Sequence, residues 1–296
     1  MEQSTKQDSA RVAAAIPAFN EEEYIGTIVL KTRQYVNEVI VVDDGSTDQT
    51  AKVARLAGAT VVQHPRNKGY GASIQTLLAE AKKKDINILV LLDADSQHNP
   101  DEIPELIKPI AEGFDLVIGS REHQAANIPL YRRTGQKVIS YFSAILSGKK
   151  LYDSESGFRV FSKKAIASLE LRENGMSASA ETIAEAAEKG LKITEIPISI
   201  KYTRDSSTLN PIVHGLQVLG GIIIMISEKR PLFFFGLGGI LLIILGLLAG
   251  IMALIIVFEG GGAVTGYALV SLLLLVIGVI SVVTGIILNV LISWKG

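Results

Sequence analysis

The chain ends in two long apolar runs, and no other feature limits its fold so strictly. Between Pro231 and Ser293 the only formally charged residue is Glu259, which is followed by three glycines. The runs on its two sides, Pro231–Phe258 and Ala263–Trp294, are each longer than the roughly 20 residues that an α-helix needs to cross a bilayer. We therefore expect two transmembrane helices, although the buried helical hairpin of a soluble protein would have a similar composition.

The distribution of basic residues predicts the orientation of such a hairpin. Lys229 and Arg230 precede the first run and Lys295 follows the second, whereas the loop between the runs has no lysine or arginine. Cytoplasmic flanks are enriched in these residues, so both ends of the hairpin should lie in the cytoplasm. Residues 1–11 are polar and lack the apolar core of a secretory signal. We expect a protein of the cell membrane, with two spans, whose N-terminal part and both termini are cytoplasmic.

Charge and cysteine content exclude other classes. The 296 residues contain 29 lysines and arginines and 30 acidic residues, a net charge of −1 without the basic surplus of nucleic-acid-binding proteins. No cysteine is present, so disulfides and thiolate metal sites are excluded.

Residues 12 to about 205 alternate between short apolar runs and helical segments. This alternation is typical of an α/β fold with a mostly parallel sheet and helices on both faces. We expect strands at Val12–Ile16 (ended by Pro17), Glu38–Val42, Thr60–Gln63, Ile86–Leu92 and Asp115–Ile118, and helices at Glu21–Tyr35, Thr50–Ala57, Gly71–Lys84 and from Pro100 to Ala111. Ser46-Thr47-Asp48 should cap the helix that begins at Thr50.

Three parts follow from these patterns: a globular domain over 1–208, a juxtamembrane segment over 209–230 and the apolar hairpin over 231–296. The middle segment has apolar residues on most faces, so we interpret it as one or two helices lying in the membrane interface. An ordinary helix packed on the globular domain would explain this composition equally well.

Two of the predicted strands end in carboxylates. Asp43 and Asp44 follow one apolar run, and Asp93-Ala94-Asp95 follows another. Ligands of open α/β sheets bind beyond the carboxyl ends of the strands, so both acidic pairs should face a ligand. Oxygen atoms of Asp93, Asp95 and Gln97 suit Mg²⁺ or Mn²⁺, which would hold a diphosphate. Solvated acids that cap the following helix would give the same pattern.

A set of motifs in this order resembles glycosyltransferase family 2, whose members have the Rossmann-like GT-A fold. The motifs are Ile16-Pro17-Ala18-Phe19-Asn20-Glu21, Val42-Asp43-Asp44-Gly45-Ser46-Thr47-Asp48, Asn67-Lys68-Gly69, Asp93-Ala94-Asp95-Ser96-Gln97-His98 and Gly119-Ser120-Arg121. Ser156-Gly157-Phe158-Arg159 and the two-span tail are similar to those of the polyprenyl-phosphate glycosyltransferases, such as dolichyl-phosphate mannose and glucose synthases. The resemblance implies metal-dependent, inverting transfer of one sugar from a nucleotide diphosphate sugar to dolichyl or undecaprenyl phosphate, for glycosylation.

The resemblance also implies roles for individual residues. Nucleotide contacts would come from Pro17, Ala18, Phe19, Asn20, Glu21, Asp43, Asp44, Asp93 and Ala94, metal ligands from Asp93, Asp95 and Gln97, and contacts to the lipid phosphate or diphosphate from Arg121, Arg132, Arg133, Ser156, Arg204 and Ser207. Asp95, Arg121 and Asp153 are the candidate catalytic residues, with Asp153 placed to contact sugar hydroxyls. No general base is assigned, because a lipid phosphate is largely ionised near neutral pH.

Several alternatives stay open at this point. Phe19 could stack on the nucleobase or pack inside the fold, and Thr208 stands where relatives would carry a lysine. Residues 206–211 and the two spans resemble archaeal enzymes that use UDP-glucose or UDP-N-acetylglucosamine, and GDP-mannose is the alternative donor. A processive polysaccharide synthase would carry Gln-x-x-Arg-Trp, but the only tryptophan is Trp294. The intact Asp93-Ala94-Asp95 disfavours a non-catalytic membrane scaffold.

Overall fold

A computed structural model describes residues 10–121, 144, 148, 151–199, 211–259 and 264–294, without the side chains of 211–216 and 293. The chain forms two compact units, Met1–Ile222 and Ile223–Gly296. The boundary between them falls inside one helix, Pro211–Lys229. The three-part division into 1–208, 209–230 and 231–296, and the interfacial position of the middle segment, stay predictions.

The first unit is built on a mostly parallel sheet, as the sequence predicts. Its strands are β1 (Val12–Ala18), β2 (Glu38–Asp43), β3 (Thr60–Gln63), β4 (Ile88–Leu91), β5 (Leu116–Ser120), β6 (Arg159–Ser162) and β7 (Ile193–Pro197). They are ordered β3-β2-β1-β4-β6-β5-β7. Among the described strands, only β6 runs antiparallel to its neighbours, β4 and β5. The sequence patterns indicated neither β6 nor β7.

Helices lie on both faces of the sheet. They are α1 (Ile25–Thr32), α2 (Thr50–Leu56), α3 (Tyr70–Lys83), a 3₁₀ turn (Pro100–Glu102) leading into α4 (Ile103–Ala111), α5 (Lys163–Ser168) and α6 (Ala178–Glu188). Alternate strand residues supply two buried layers: Ala13 and Ala15 face one, and Ala14 and Ile16 face the other. This period of two places the core on both faces of the sheet.

Two local predictions need correction. β1 does not end at Pro17 but continues to Ala18. Its pairing with β4 stops at Ala15, so Pro17 borders only β2 and its missing amide hydrogen breaks no bond to β4. Helix α1 begins at Ile25 and ends at Thr32, well inside the predicted Glu21–Tyr35.

The N-cap position of α2 is Gln49, whose side chain makes no capping bond, and of the three predicted residues only Asp48 bonds the start of the helix. Its carboxylate accepts a hydrogen bond from the Thr50 amide at 2.9 Å. Ser46 and Thr47 instead bind Asn20 of the neighbouring loop: the Asn20 amide donates to Ser46 Oγ, and the Thr47 amide donates to Asn20 Oδ1, both at 2.9 Å. These two residues therefore join the loops that follow β1 and β2.

The second unit contains the two apolar runs as helices. The helix α7 (Pro211–Lys229) is followed by a π-helical turn (Leu232–Gly236), α8 (Leu237–Phe258) and α9 (Thr265–Ser293). Segments Leu232–Phe258 and Thr265–Ile292 are long and apolar enough to cross a membrane. Ser271 Oγ donates to the Gly246 carbonyl at 2.7 Å, which joins α8 to α9 as polar groups commonly do between membrane helices.

Close glycine packing between α8 and α9 generates a testable prediction. A Cβ added at Gly278 would lie 2.7 Å from the Ile243 side chain and 2.8 Å from the Gly239 carbonyl oxygen. We expect Gly278→Val to destabilise the hairpin by about 1–3 kcal/mol, because overpacking forces the helices apart. Thermal unfolding in detergent measures this. Gly266→Val is the matched control, since no described atom lies within 4 Å of a Cβ there. Equal unfolding midpoints for the two variants would contradict the prediction.

Candidate functional site

The structure brings most of the predicted site residues to one edge of the sheet. Strands β1, β2 and β4 run parallel, so the loops that follow them leave from the same edge. These loops carry residues 19–21, 44–46 and 93–97, and β5 leads directly to Arg121. Arg132, Arg133, Arg204 and Ser207 lie outside the described residues, and their predicted phosphate contacts stay predictions.

Asp93 lies on the main chain of Gly157. A Cβ at residue 157 would stand 2.7 Å from the Asp93 carboxylate carbon, so a larger residue there would displace the carboxylate from this position. The Tyr70 hydroxyl donates to Asp93 Oδ1 at 3.3 Å. Burial raises the pKa of Asp93, and the guanidiniums of Arg121 and Arg159 only partly oppose the rise. The Asp93 carboxylate is thus fixed in position, and the neighbouring positive charges do not fully compensate its own negative charge.

Asp95 and Glu21 extend this acidic group. Burial, followed by repulsion from Asp93, raises the pKa of Asp95 to about 6. Burial and then repulsion from Asp95, Asp48 and Asp93 raise the pKa of Glu21 to about 7. Carboxylates whose ionised forms are disfavoured in this way fit a divalent cation, which would compensate them.

The predicted metal ligands do not form a complete metal site among the described residues. Among the described residues, no group of three or more acidic or histidine side chains is arranged to hold a metal ion. Gln97 lies two residues after Asp95, and its main-chain amide donates to Asp95 Oδ1 at 3.0 Å. A cation bound by residues 93, 95 and 97 would therefore have to take further oxygen ligands from elsewhere. Their assignment as metal ligands stays a prediction.

His98 binds the main chain of Asp93. Its Nδ1 accepts a hydrogen bond from the Asp93 amide at 3.3 Å, and its ring lies 5.2 Å from that of Phe158. Burial lowers the pKa of His98 to about 4, so the imidazole is neutral near pH 7 and can accept this bond.

Asp43 and Asp44 are buried and already bonded to protein donors. Asp43 accepts from the Ser46 amide at 3.1 Å and from Gln63 Nε2 at 2.9 Å. Their predicted contacts to a nucleotide stay predictions.

Asp44 organises the turn that follows β3. It accepts from the main-chain amides of Lys68 (2.9 Å) and Gly69 (2.8 Å). His64 lies between the Asp44 carboxylate (2.6 Å) and the Thr76 hydroxyl (2.9 Å). Nothing in the local sequence indicates that this histidine would join the two groups.

Phe19 lies outside the core, because 44% of its surface is exposed. This excludes the interpretation that its ring packs inside the fold. The next residue, Asn20, has a left-handed backbone (φ 55°), which its bonds to Ser46 and Thr47 stabilise. The Phe19 ring is therefore presented at the loop surface, where an aromatic side chain can stack on a base.

Arg121 and Asp153 form a two-point ion pair. Arg121 Nε and Nη2 donate to the two Asp153 oxygens at 2.5 and 2.6 Å, and the Arg121 amide adds a bond at 3.1 Å. Burial raises the pKa of Asp153, but its bonds to Arg121 and that residue's charge outweigh burial, so the net shift is downward. Asp153 thereby fixes the orientation of the guanidinium; its predicted contact to sugar hydroxyls stays a prediction.

The segment after Asp153 is held by a buried arginine. Arg159 is 1% exposed, and it donates to the carbonyls of Ser154 (2.7 Å), Ser156 (2.8 Å) and Ser179 (2.8 Å). From the sequence, Arg159 was recognised only as the last residue of the Ser156-Gly157-Phe158-Arg159 motif, without a predicted role. Ser156 is itself buried, and its predicted phosphate contact stays a prediction.

Comparison with known proteins gives one family and consistent relatives. The profile of Glycosyl transferase family 2 matches residues 14–169. A UDP-N-acetylglucosamine–dolichyl-phosphate N-acetylglucosaminyltransferase of Methanococcus voltae is 34% identical over 216 residues, which are 64% of this chain and 86% of the relative. A polyprenol monophosphomannose synthase of Mycolicibacterium smegmatis is 29% identical over 210 residues, 66% of this chain and 79% of the relative.

A solved structure confirms the fold. Glucosyl-3-phosphoglycerate synthase from Mycobacterium tuberculosis, in complex with Mn²⁺ and UDP-glucose, aligns with a TM-score of 0.58 and 23% identity, covering 73% of this chain and 79% of that one. At this identity the likeness establishes the GT-A fold, as the sequence motifs predict.

Glu155 generates a prediction about pH. Its Oε1 is buried without a hydrogen-bond partner among the described residues. Burial raises the pKa of Glu155 from 4.5 to about 7, although Arg159 opposes the rise. A carboxyl group whose pKa is raised by folding contributes its full stability below pH 4.5 and loses it as the pH rises through 7.

We therefore expect Glu155→Gln, which mimics the protonated form, to gain stability relative to the parent protein between pH 5 and pH 8. Thermal unfolding midpoints at the two pH values measure the difference. A gap between the two proteins that does not change with pH would contradict the raised pKa.

Proposed function

The chain belongs to glycosyl transferase family 2, and from that premise we propose that it transfers one sugar, with inversion, from a nucleotide diphosphate sugar to dolichyl or undecaprenyl phosphate. The observation that carries this proposal is the placement of Asp93 and Asp95 at the same sheet edge as Arg121, in a chain with two membrane-length helices. The product is a lipid-phosphate-linked sugar for glycosylation.

Asp93, Asp95 and Gln97 hold Mg²⁺ or Mn²⁺ in this proposal. Such an ion neutralises negative charge on the departing nucleoside diphosphate. The raised pKa values of Asp95 and Glu21 support a cation at this place, because its charge would offset the repulsion between the carboxylates. Because residue 157 is glycine, no Cβ occupies the space that the Asp93 carboxylate fills.

Arg121 orients the acceptor phosphate. Its planar guanidinium matches the geometry of phosphate oxygens, and the two bonds to Asp153 fix its orientation. A lipid phosphate needs no base to ionise it near neutral pH, so the protein has only to align its oxygen with the anomeric carbon. Asp153 serves this alignment by fixing Arg121.

Phe19 and the loop around it bind the nucleotide. The exposed ring of Phe19 would stack on the base, with Pro17, Ala18, Asn20 and Glu21 around it. We favour UDP-N-acetylglucosamine or UDP-glucose, because the Methanococcus voltae relative is named for a UDP-N-acetylglucosamine reaction with dolichyl phosphate. GDP-mannose is the alternative, supported by the relative named a mannose synthase.

The membrane topology follows from the charges at the helix ends. Segments Leu232–Phe258 and Thr265–Ile292 are proposed to span the cell membrane. Lys229 and Arg230 precede the first segment, which favours both termini and the catalytic unit on the cytoplasmic face, where nucleotide sugars are made available.

A donor panel tests the proposed reaction. Full-length protein in detergent is incubated with Mn²⁺, a polyprenyl phosphate and, in separate tubes, UDP-glucose, UDP-N-acetylglucosamine and GDP-mannose. Mass spectrometry of the lipid fraction identifies any product, and NMR of its anomeric signal gives the stereochemistry. A β-linked product from a UDP-sugar is expected. Absence of lipid product with every donor, or retention of configuration, would contradict the proposal.

The metal assignment makes its own prediction. Asp95→Asn should lower the rate of transfer by more than about 100-fold, because residues that only support metal ligands already contribute about 10- to 100-fold. Asp85→Asn is the matched control: Asp85 is an exposed aspartate paired with Lys163 at 2.8 Å, and Asn also tolerates its φ of 52°. Near-parental activity of a folded Asp95→Asn protein would rule out this ligand.

A further inference from the structure

The segment 152–157 joins the two halves of the site. At its start, the Asp153 carboxylate binds Arg121 at two points. At its end, the main chain of Gly157 lies against the Asp93 carboxylate. A shift of this segment would therefore move the guanidinium at one end and the proposed metal ligand at the other.

The start of the segment is held by a carboxylate from strand β7. Glu195 accepts a hydrogen bond from the Asp153 amide at 3.0 Å, and its two oxygens accept from the Tyr152 amide at 3.1 and 2.9 Å. Glu195 pairs in register with Ile118 of β5, three residues before Arg121. The same two strands thus carry both the arginine and the residue that fixes its partner.

Hydrophobic burial does not hold Tyr152 in place. Its side chain is 66% exposed, while its main-chain amide donates to both oxygens of Glu195. Two adjacent amides that converge on one carboxylate make charge-assisted bonds, which are stronger than bonds between neutral groups. The bonds from the Tyr152 and Asp153 amides to Glu195 therefore fix the main chain from which the Asp153 side chain reaches Arg121.

We propose that Glu195 is a positioning residue of the transfer reaction, which fixes the main chain of Tyr152 and Asp153 so that Asp153 holds Arg121 towards the acceptor phosphate. This inference rests on the proposed function, in which Arg121 meets that phosphate. Glu195 touches no reacting atom in this account. It acts through two contacts in series, its own bonds to the amides and the ion pair between Asp153 and Arg121.

Steady-state kinetics of the full-length protein in detergent test the proposal, with a short-chain polyprenyl phosphate as the varied acceptor. Glu195→Ala removes the acceptor of both amides. We expect kcat/KM for the polyprenyl phosphate to fall about tenfold or more, as for other residues that orient a ligand-binding group, with KM for the nucleotide sugar changed less than about twofold. Glu195→Gln keeps one oxygen and should be intermediate. Glu112→Gln, on an exposed glutamate, is the matched control and should behave as the parent.

A double-mutant cycle tests the route through Arg121. If Glu195 acts through this arginine, adding Glu195→Ala to Arg121→Ala should cause little further loss of equilibrium affinity for the polyprenyl phosphate, whereas independent effects would add. Additive losses would overturn the proposal. So would parental kinetics of Glu195→Ala, or a fall in its unfolding midpoint with equal changes in donor and acceptor KM, which indicates a purely structural role.

The Arg121→Ala protein separates this inference from the function on which it rests. If that variant retains the parental affinity and rate for the acceptor, the assignment of Arg121 to the phosphate fails. If Arg121→Ala is impaired and Glu195→Ala is not, the phosphate role stands and only the positioning role of Glu195 is wrong.

Discussion

Negative charge gathered at the carboxyl edge of the sheet is the constraint on which the rest of the site depends. Glu21, Asp93 and Asp95 arrive there from two strand ends, and burial raises the pKa of all three. Two nearby guanidiniums offset only part of this charge; that of Arg121 is oriented by Asp153, and that of Arg159 is bonded to three main-chain carbonyls. This balance favours the binding of a divalent cation, as the proposed diphosphate donor would require.

Carboxylates also organise the loops around the site. Asp44 binds the amides of Lys68 and Gly69, Glu195 binds those of Tyr152 and Asp153, and Glu181 binds those of Arg172 and Glu173, the last two at 2.9 Å. In each case one side chain holds two consecutive main-chain donors. Loops fixed in this way keep their shape without a hydrophobic core of their own, which suits a site that must present polar groups to a charged substrate.

The strands with continuous apolar runs were predictable from the sequence, because local composition alone marks them. Strand β6 was not, since its place between β4 and β5 depends on partners far away in the chain. The same division holds in the site. Asp93 and Asp95 stand out as acids at a strand end, whereas Glu195, Arg159 and His64 act on main-chain or side-chain groups that only folding brings near them. The prediction that Pro17 ends β1 was wrong because a proline disrupts a strand only where a neighbouring strand needs its amide hydrogen, and β4 does not pair with Pro17.

The contact beneath Asp93 has an evolutionary consequence. The surface that supports this carboxylate is peptide backbone at Gly157, where any larger residue would overlap the carboxylate. The contact is made by main-chain atoms, so substitutions that keep glycine at residue 157 cannot change it. We expect relatives with other donors to vary the side chains around Asp93 while residue 157 stays glycine.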